Sequence, residues 1–191
     1  MAKKPKIYIL DVTNRDGVQT SRLGLAKLQK TMINLYLDRI GVYQSEAGFP
    51  FTNHEVNYLN GNLELKKLGA FKSIILSGWC RPVIKDIEKS IKLTKIKHMN
   101  LSISTSNQML KGKFGGKFSK KDIIKIIVDA TKYVKKAGIK TVGMNAEDAS
   151  RTGVDFLIEF ALAAKEAGAD RFRYCDTLGY DDPFTIYERI S

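Results

Sequence analysis

The sequence predicts an α/β fold of the TIM-type (β/α)8-barrel class, represented here by about six of its strand–helix units. Three observations predict it. Short apolar runs alternate with helical patterns from one end of the chain to the other, six times over 191 residues, and such alternation builds a parallel sheet with right-handed crossovers. Polar, chemistry-bearing residues collect where each apolar run stops: Asp11 with Arg15 and Asp16, Glu46, Ser77, Ser104 with Thr105 and Ser106, Asn145 with Glu147 and Asp148, and Asp176 with Thr177. In a barrel all such strand ends face one mouth, whereas in an open doubly wound sheet only those beside the switch point meet. Finally, no glycine-rich dinucleotide fingerprint follows the first run, and Gly112, Gly115 and Gly116 are not followed by the Lys-Ser/Thr of a phosphate loop.

The first strand is expected over residues 6–11, where Ile7-Tyr-Ile-Leu10 reads as buried. The loop after it, Asp11-Val-Thr-Asn-Arg-Asp-Gly-Val-Gln19, crowds two acids, an arginine and a glutamine before a helix at 21–40. That helix carries Leu23, Leu28, Met32, Leu35 and Ile40 near one face and stops at Gly41. A second strand, 42–46, ends in Glu46-Ala-Gly-Phe-Pro50, and a weaker helix follows at about 54–68. Strand three spans 73–77, and Pro82 suits the first turn of the next helix. Strand four spans 99–104, and a glycine- and lysine-rich loop occupies 111–117. Ser119 is the expected N-cap of a helix running through Ala137. Strand five spans 140–145, helix five 152–167 and strand six 171–175, and Pro183 opens a last helix. The whole, 1–191, reads as a single incomplete barrel domain.

Composition narrows the function classes. No apolar run approaches the ~18 residues that span a bilayer, and the basic start leads into a strand rather than the apolar segment of a signal peptide. Cys80 and Cys175 are the only cysteines, with no metal-ligand spacing, so a reducing, cytoplasmic setting is expected. The net charge of +12 raises nucleic acid as a partner. However, the lysines are spread over helix patterns such as Lys85, Lys89, Lys92, Lys95 and Lys97, and no RNA- or DNA-binding signature is present. A solvated basic surface that attracts small polyanions is the better reading, with no nucleic acid and no membrane among the expected partners.

Four motifs together carry a resemblance. Asp11-Val-Thr-Asn-Arg15-Asp16-Gly17-Val-Gln19, Glu46-Ala-Gly-Phe-Pro50, Asn145-Ala-Glu-Asp-Ala-Ser-Arg151 and Asp176-Thr-Leu-Gly179 stand in order on strands one, two, five and six. In this the chain resembles the metal-dependent acyl-CoA synthases and lyases of the βα-barrel type: homocitrate, isopropylmalate and citramalate synthases and hydroxymethylglutaryl-CoA lyase. The resemblance implies acetyl-CoA as co-substrate, a 2-oxo acid as acceptor and a divalent metal (Mg, Mn or Zn). It implies Asp16 as a metal ligand, Arg15 stabilising the enolate of the thioester, and Glu147 in the catalytic network. Gln19, Glu46 and Thr177 would contact the 2-oxo acid, and Thr105 and Ser106 would line the mouth. Asp11 would orient its neighbours, and Asp148 and Arg151 would hold their loop. The reaction implied is a Claisen-type condensation. Glu46-Ala-Gly-Phe-Pro50 points to a synthase over a lyase, and homocitrate formation from 2-oxoglutarate is the acceptor reading preferred.

The departures are informative. Val18 stands where the synthases often carry an acid. The family's two histidine metal ligands on strand seven, and strands seven and eight themselves, have no counterpart here. His54 reads as part of a helix first turn, and His98 precedes strand four, away from the mouth. The expectation is therefore a truncated or split enzyme, completed by a homodimer partner or by a complementing subunit. Two other readings compete: a non-catalytic partial barrel that docks on a related chain, and an open α/β nucleic-acid module favoured by charge alone.

Overall fold

The computed structural model describes residues 6–191. Six strands, β1 (Leu10–Asp11), β2 (Gln44–Gly48), β3 (Ile75–Cys80), β4 (His98–Ser104), β5 (Thr141–Glu147) and β6 (Arg171–Tyr174), follow chain order in the sheet. Between them run α1 (Lys27–Arg39), α2 (Asn53–Lys67), α3 (Ile84–Leu93), a short α4 (Asn107–Gly112), α5 (Lys120–Lys136) and α6 (Val154–Glu166), with α7 (Pro183–Ile190) after β6. The β1–β2, β2–β3 and β5–β6 pairs are parallel. The alternation of six strands with helices is thus as expected, with α4 an addition between strand four and most of the glycine- and lysine-rich loop. The described residues divide into two compact units, one built on 6–79 and 89–98, the other on 80–88 and 99–191.

In the second unit, strand alternation sets two faces. Met99, Leu101 and Ile103 of β4 and Val142, Met144 and Ala146 of β5 are buried. Phe172 of β6 packs on Phe160 of α6, with ring centroids 6.1 Å apart. α5 buries Ile123, Ile127 and Val134, which stand at helical spacing. Its start is a reciprocal cap, in which Ser119 N and Oγ donate to Asp122 and Asp122 N donates back to Ser119 Oγ at 3.2 Å. The opposite strand face carries Asn100, Ser102, Ser104, Gly143, Asn145, Glu147, Arg171 and Arg173, without an apolar side chain among them. In a barrel, that face is normally filled by branched apolar residues.

The first unit corrects two expectations. Residues 6–9 are not strand, and Ile7, Tyr8 and Ile9 are exposed rather than buried. The Ile9 carbonyl accepts from Tyr43 N and Gln44 N at the start of β2, but the exposed run lacks the two-sided cover that a continuous apolar strand needs. The second correction concerns α1. Leu23 lies before the helix, and Leu28 and Ile40 are 71% and 75% exposed. The helix instead buries Lys30, Asn34 and Asp38, a polar stripe at i, i+4, i+8. These residues satisfy one another's neighbours. Asn14 Nδ2 donates to Lys30 O (2.8 Å) and Asn34 Oδ1 (2.9 Å). Asn34 Nδ2 donates to Tyr58 OH (2.8 Å) and Asn62 Oδ1 (3.0 Å), and Ser45 Oγ donates to Asn34 Oδ1 (2.8 Å). Lys30 Nζ is held by both Glu55 oxygens at 2.8 and 2.9 Å. Burial of polar groups is tolerated where each finds a partner. An apolar-periodicity count does not see such pairing.

Asp38 illustrates the energetics. Its carboxylate accepts from Lys72 N (2.7 Å), Ser73 N (2.8 Å) and Ile74 N (2.7 Å), fixing the chain as it enters β3. Burial works to raise its pKa, but the three backbone N–H groups together outweigh burial and hold it below the ordinary value. Asp38→Ala strands three donors, so we expect a loss of about 3 kcal/mol in urea unfolding monitored by circular dichroism.

Candidate active site

The site residues fall into two clusters, each inside one unit. In the first, the loop after β1 is wound tightly: Arg15 N, Asp16 N and Gly17 N all donate to Val12 O, at 3.1, 2.7 and 3.3 Å. A single 3-10 turn, Gly17–Gln19, closes it. Asp11 accepts from Thr13 N and Thr13 Oγ1 within this loop, both at 2.9 Å. The winding delivers Arg15 to Glu46 at the end of β2. Arg15 Nε lies 2.7 Å and its terminal nitrogen 2.6 Å from Glu46 Oε1, while its other terminal nitrogen meets Asp16 Oδ1 at 2.8 Å. The Glu46 side chain is fully buried and that of Asp16 is 55% exposed. A buried carboxylate needs such a partner, since desolvation otherwise costs several kcal/mol. The guanidinium also lies over Trp79, 5.1 Å from the ring centroid. Trp79 is a site residue that the sequence did not reveal, because nothing local marks a tryptophan as the floor beneath an arginine three strands' worth of chain away. Arg81 is paired to Asp86, in the first turn of α3, at 2.6 Å. Gln19 is exposed and makes no side-chain hydrogen bond among the described residues.

In the second cluster, Glu147 at the end of β5 accepts from Ser104 Oγ at 2.8 Å. Lys113 Nζ reaches both Glu147 oxygens, at 2.9 and 2.8 Å, and Ser104 Oγ at 3.1 Å. Lys113 stands at the C-cap of α4, just before Gly115 and Gly116, and was indistinguishable in the sequence from its lysine neighbours. Thr105 and Ser106 are buried and engaged with protein: Thr105 N and Oγ1 both donate to Glu147 O, at 3.0 and 3.1 Å, and Ser106 Oγ donates to Asp148. Asp148 adopts a left-handed conformation, φ 61°, and is clasped by Arg151 through Nε at 2.9 Å and a terminal nitrogen at 2.6 Å. Its N–H donates to Thr177 Oγ1 at 2.8 Å. Asp148, Arg151, Ser106 and Thr177 thus share one hydrogen-bond network.

Burial acts to raise the Asp148 pKa, but the hydrogen bonds from Arg151 and Ser106 together outweigh it and leave it below the ordinary value. A carboxylate depressed in the folded state stabilises the fold above its unfolded pKa, and that stability is lost as pH falls through the folded value. We therefore expect the urea midpoint to fall on acidification below about pH 4, and to fall less in Asp148→Asn, as read by denaturation at a series of pH values.

Among the described residues no group of three His, Cys, Asp or Glu gathers as a metal site. His54 lies in the first turn of α2 and His98 opens β4. Asp16, with one oxygen on Arg15, is a single available donor rather than a complete site.

The HMGL-like family matches residues 6–191. The chain is 58% identical over 184 residues to the citrate (Re)-synthase of Dehalococcoides mccartyi, covering 96% of this chain and 44% of that protein. It is 41% identical over 190 residues to 2-isopropylmalate synthase 2 of Caldanaerobacter subterraneus, covering 99% and 47%. It is 34% identical over 191 residues to homocitrate synthase 1 of a Nostoc species, covering 97% and 47%. The chain thus spans about half the length of these relatives. In structure it is similar to the HMG-CoA lyase of Bacillus subtilis, with a TM-score of 0.77 at 18% identity over 100% of this chain and 64% of that one; this likeness carries the TIM-type barrel fold class alone. No helix among the described residues is long and apolar enough to cross a membrane. The chain belongs to the HMGL-like family.

Proposed function

We propose that this protein takes part in an acyltransfer that joins the methyl carbon of acetyl-CoA to the ketone carbon of a 2-oxo acid. The observation that carries the reading is the Arg15 guanidinium, seated on buried Glu46 at 2.6 Å and turned at the same time to Asp16, within the motif shared with the synthases. In this reading a base takes a proton from the acetyl methyl group, and the carbanion forms a bond to the ketone carbon. The ketone oxygen ends as a hydroxyl, and water cleaves the thioester to release the CoA thiol. Arg15 stabilises negative charge on oxygen as it develops. Glu147, fixed by Ser104 and Lys113, holds or moves a proton. A divalent metal would polarise the ketone, and among the described residues Asp16 is the donor that would help to hold it.

The 58% identity to a citrate synthase, against 34% to a homocitrate synthase, supports a four-carbon oxo diacid as acceptor over the five-carbon one suggested by the motifs. Release of free thiol from acetyl-CoA, followed with a thiol reagent in the presence of Mn²⁺ and either oxaloacetate, 2-oxoglutarate or 2-oxoisovalerate, tests the reading. Thiol release dependent on one of these acids is expected; no release above the acid-free rate sinks it.

A further inference from the structure

The turn that follows Glu147 is held from several sides, and one of the groups that hold it comes from α7, which has no part in the chemistry described above. Asp148 stands at φ 61° and ψ 39°. For a residue other than glycine that conformation is strained, and it persists only where the surroundings enforce it. The 3-10 turn Ala149–Arg151 continues from it. From the β4 side, Thr105 Oγ1 meets Thr152 Oγ1 at 2.8 Å. From the end of β6, Cys175 O accepts from Ala149 N at 3.0 Å. From the last turn of α7, one terminal nitrogen of Arg189 lies 3.1 Å from Thr152 O and 3.4 Å from Ala149 O. A single charged donor thus bridges the two ends of the turn.

Arg189 is itself aimed. Its Nε lies 3.7 Å from Asp181 Oδ1, on a side chain that is 4% exposed. Asp181 also accepts from Tyr174 OH of β6, and its N–H donates to Asp176 Oδ2 at 3.0 Å. A carboxylate so shielded needs a cation beside it, and here that cation is turned toward the turn's carbonyls. Hydrogen bonds from a charged donor are among the stronger ones. Thr105, Ser104 and Lys113 fix Glu147 from the β4 side, while Arg189 fixes the peptide units that come after it. A turn free to relax from its strained conformation would displace the backbone at residue 147, and small displacements of a reacting group are costly in rate. We propose that Arg189 is a positioning residue for Glu147: by bridging Ala149 and Thr152 it holds the strained backbone that aims the Glu147 carboxylate. The chemical role of Glu147 rests on the acyltransfer reading above; the bridge itself does not.

Amide hydrogen exchange of the wild type, Arg189→Gln and Arg189→Lys gives the first test. The Asp148 and Ala149 amides, bonded to Thr177 Oγ1 and Cys175 O, are expected to exchange faster in Arg189→Gln, with β4 and α5 unchanged and Arg189→Lys between. Wild-type exchange at these amides overturns the proposal, as does a loss of protection spread evenly over the second unit. The thiol assay gives the second test. Arg189→Gln is expected to lower kcat about 10-fold with KM for the oxo acid retained. In the Glu147→Gln background the same change is expected to cost less than about twofold, because the group it positions is already gone. Equal losses in both backgrounds, or wild-type kcat in Arg189→Gln, overturn the positioning role. Arg189→Lys, which keeps a charge beside Asp181, carries both tests where Arg189→Gln fails to fold. A wild type that releases no thiol sinks the acyltransfer reading, and the exchange measurement then decides the bridge alone.

Discussion

Arg15→Ala is expected to lower kcat/KM for thiol release by about 10³. Three effects add. The developing oxyanion loses its cation. The buried Glu46 loses a charge partner at 2.6 Å and must rearrange or take up a proton. Asp16, freed from a contact of 2.8 Å, loses its orientation. Arg15→Lys is the informative companion. It restores the charge but not the fork that reaches Glu46 and Asp16 together, so most of the loss should persist. Trp79, beneath the guanidinium, is an intrinsic probe of the site: its fluorescence should change in Arg15→Ala while far-ultraviolet circular dichroism stays as in wild type. Activity within threefold of wild type in the alanine variant would falsify the role given to Arg15.

The second large effect is expected at Glu147. Glu147→Gln keeps the size of the side chain and its bond from Ser104, but removes the charge and proton-holding capacity, and we expect kcat to fall about 10²- to 10³-fold. Lys113 sharpens the test. Lys113→Met removes three contacts of 2.8 to 3.1 Å from the Glu147–Ser104 pair without touching the carboxylate. If Lys113 positions Glu147, kcat falls with KM for the oxo acid retained, and Lys113→Arg recovers part of it. A uniform rise in KM with unchanged kcat would assign Lys113 to ligand binding instead. Both variants are read in the same thiol assay.

Much of this protein was legible before any coordinates. Strand β4 alternates Met99, Leu101 and Ile103 with Asn100, Ser102 and Ser104, and that period of two fixes which face is buried in apolar contacts. The reciprocal cap at Ser119 and Asp122 and the helix-opening prolines are local chemistry, and local chemistry is written in neighbouring letters. The juxtaposition of Asp11, Arg15 and Asp16 needed only a tight loop. What failed to read was whatever depends on partners distant in sequence. Residues 6–9 carry the composition of a buried strand, yet Ile7 is 84% exposed.

By itself, then, the sequence determined the order of the strand–helix units, the ends at which the reactive groups stand and the motifs that place the chain among its relatives. The tertiary structure decided the rest. It chose the polar stripe of α1, Lys30, Asn34 and Asp38, over the leucine stripe as the buried one, because Asn14, Ser45, Glu55 and Tyr58 arrive to satisfy it. It brought Lys113 onto Glu147, Trp79 under Arg15 and Arg171 across Gly143 to Asn100. The physical reason is common to all four. The energy of a buried charge or amide depends on what meets it in space, and single-residue patterns carry the supply of polar groups but not their pairing.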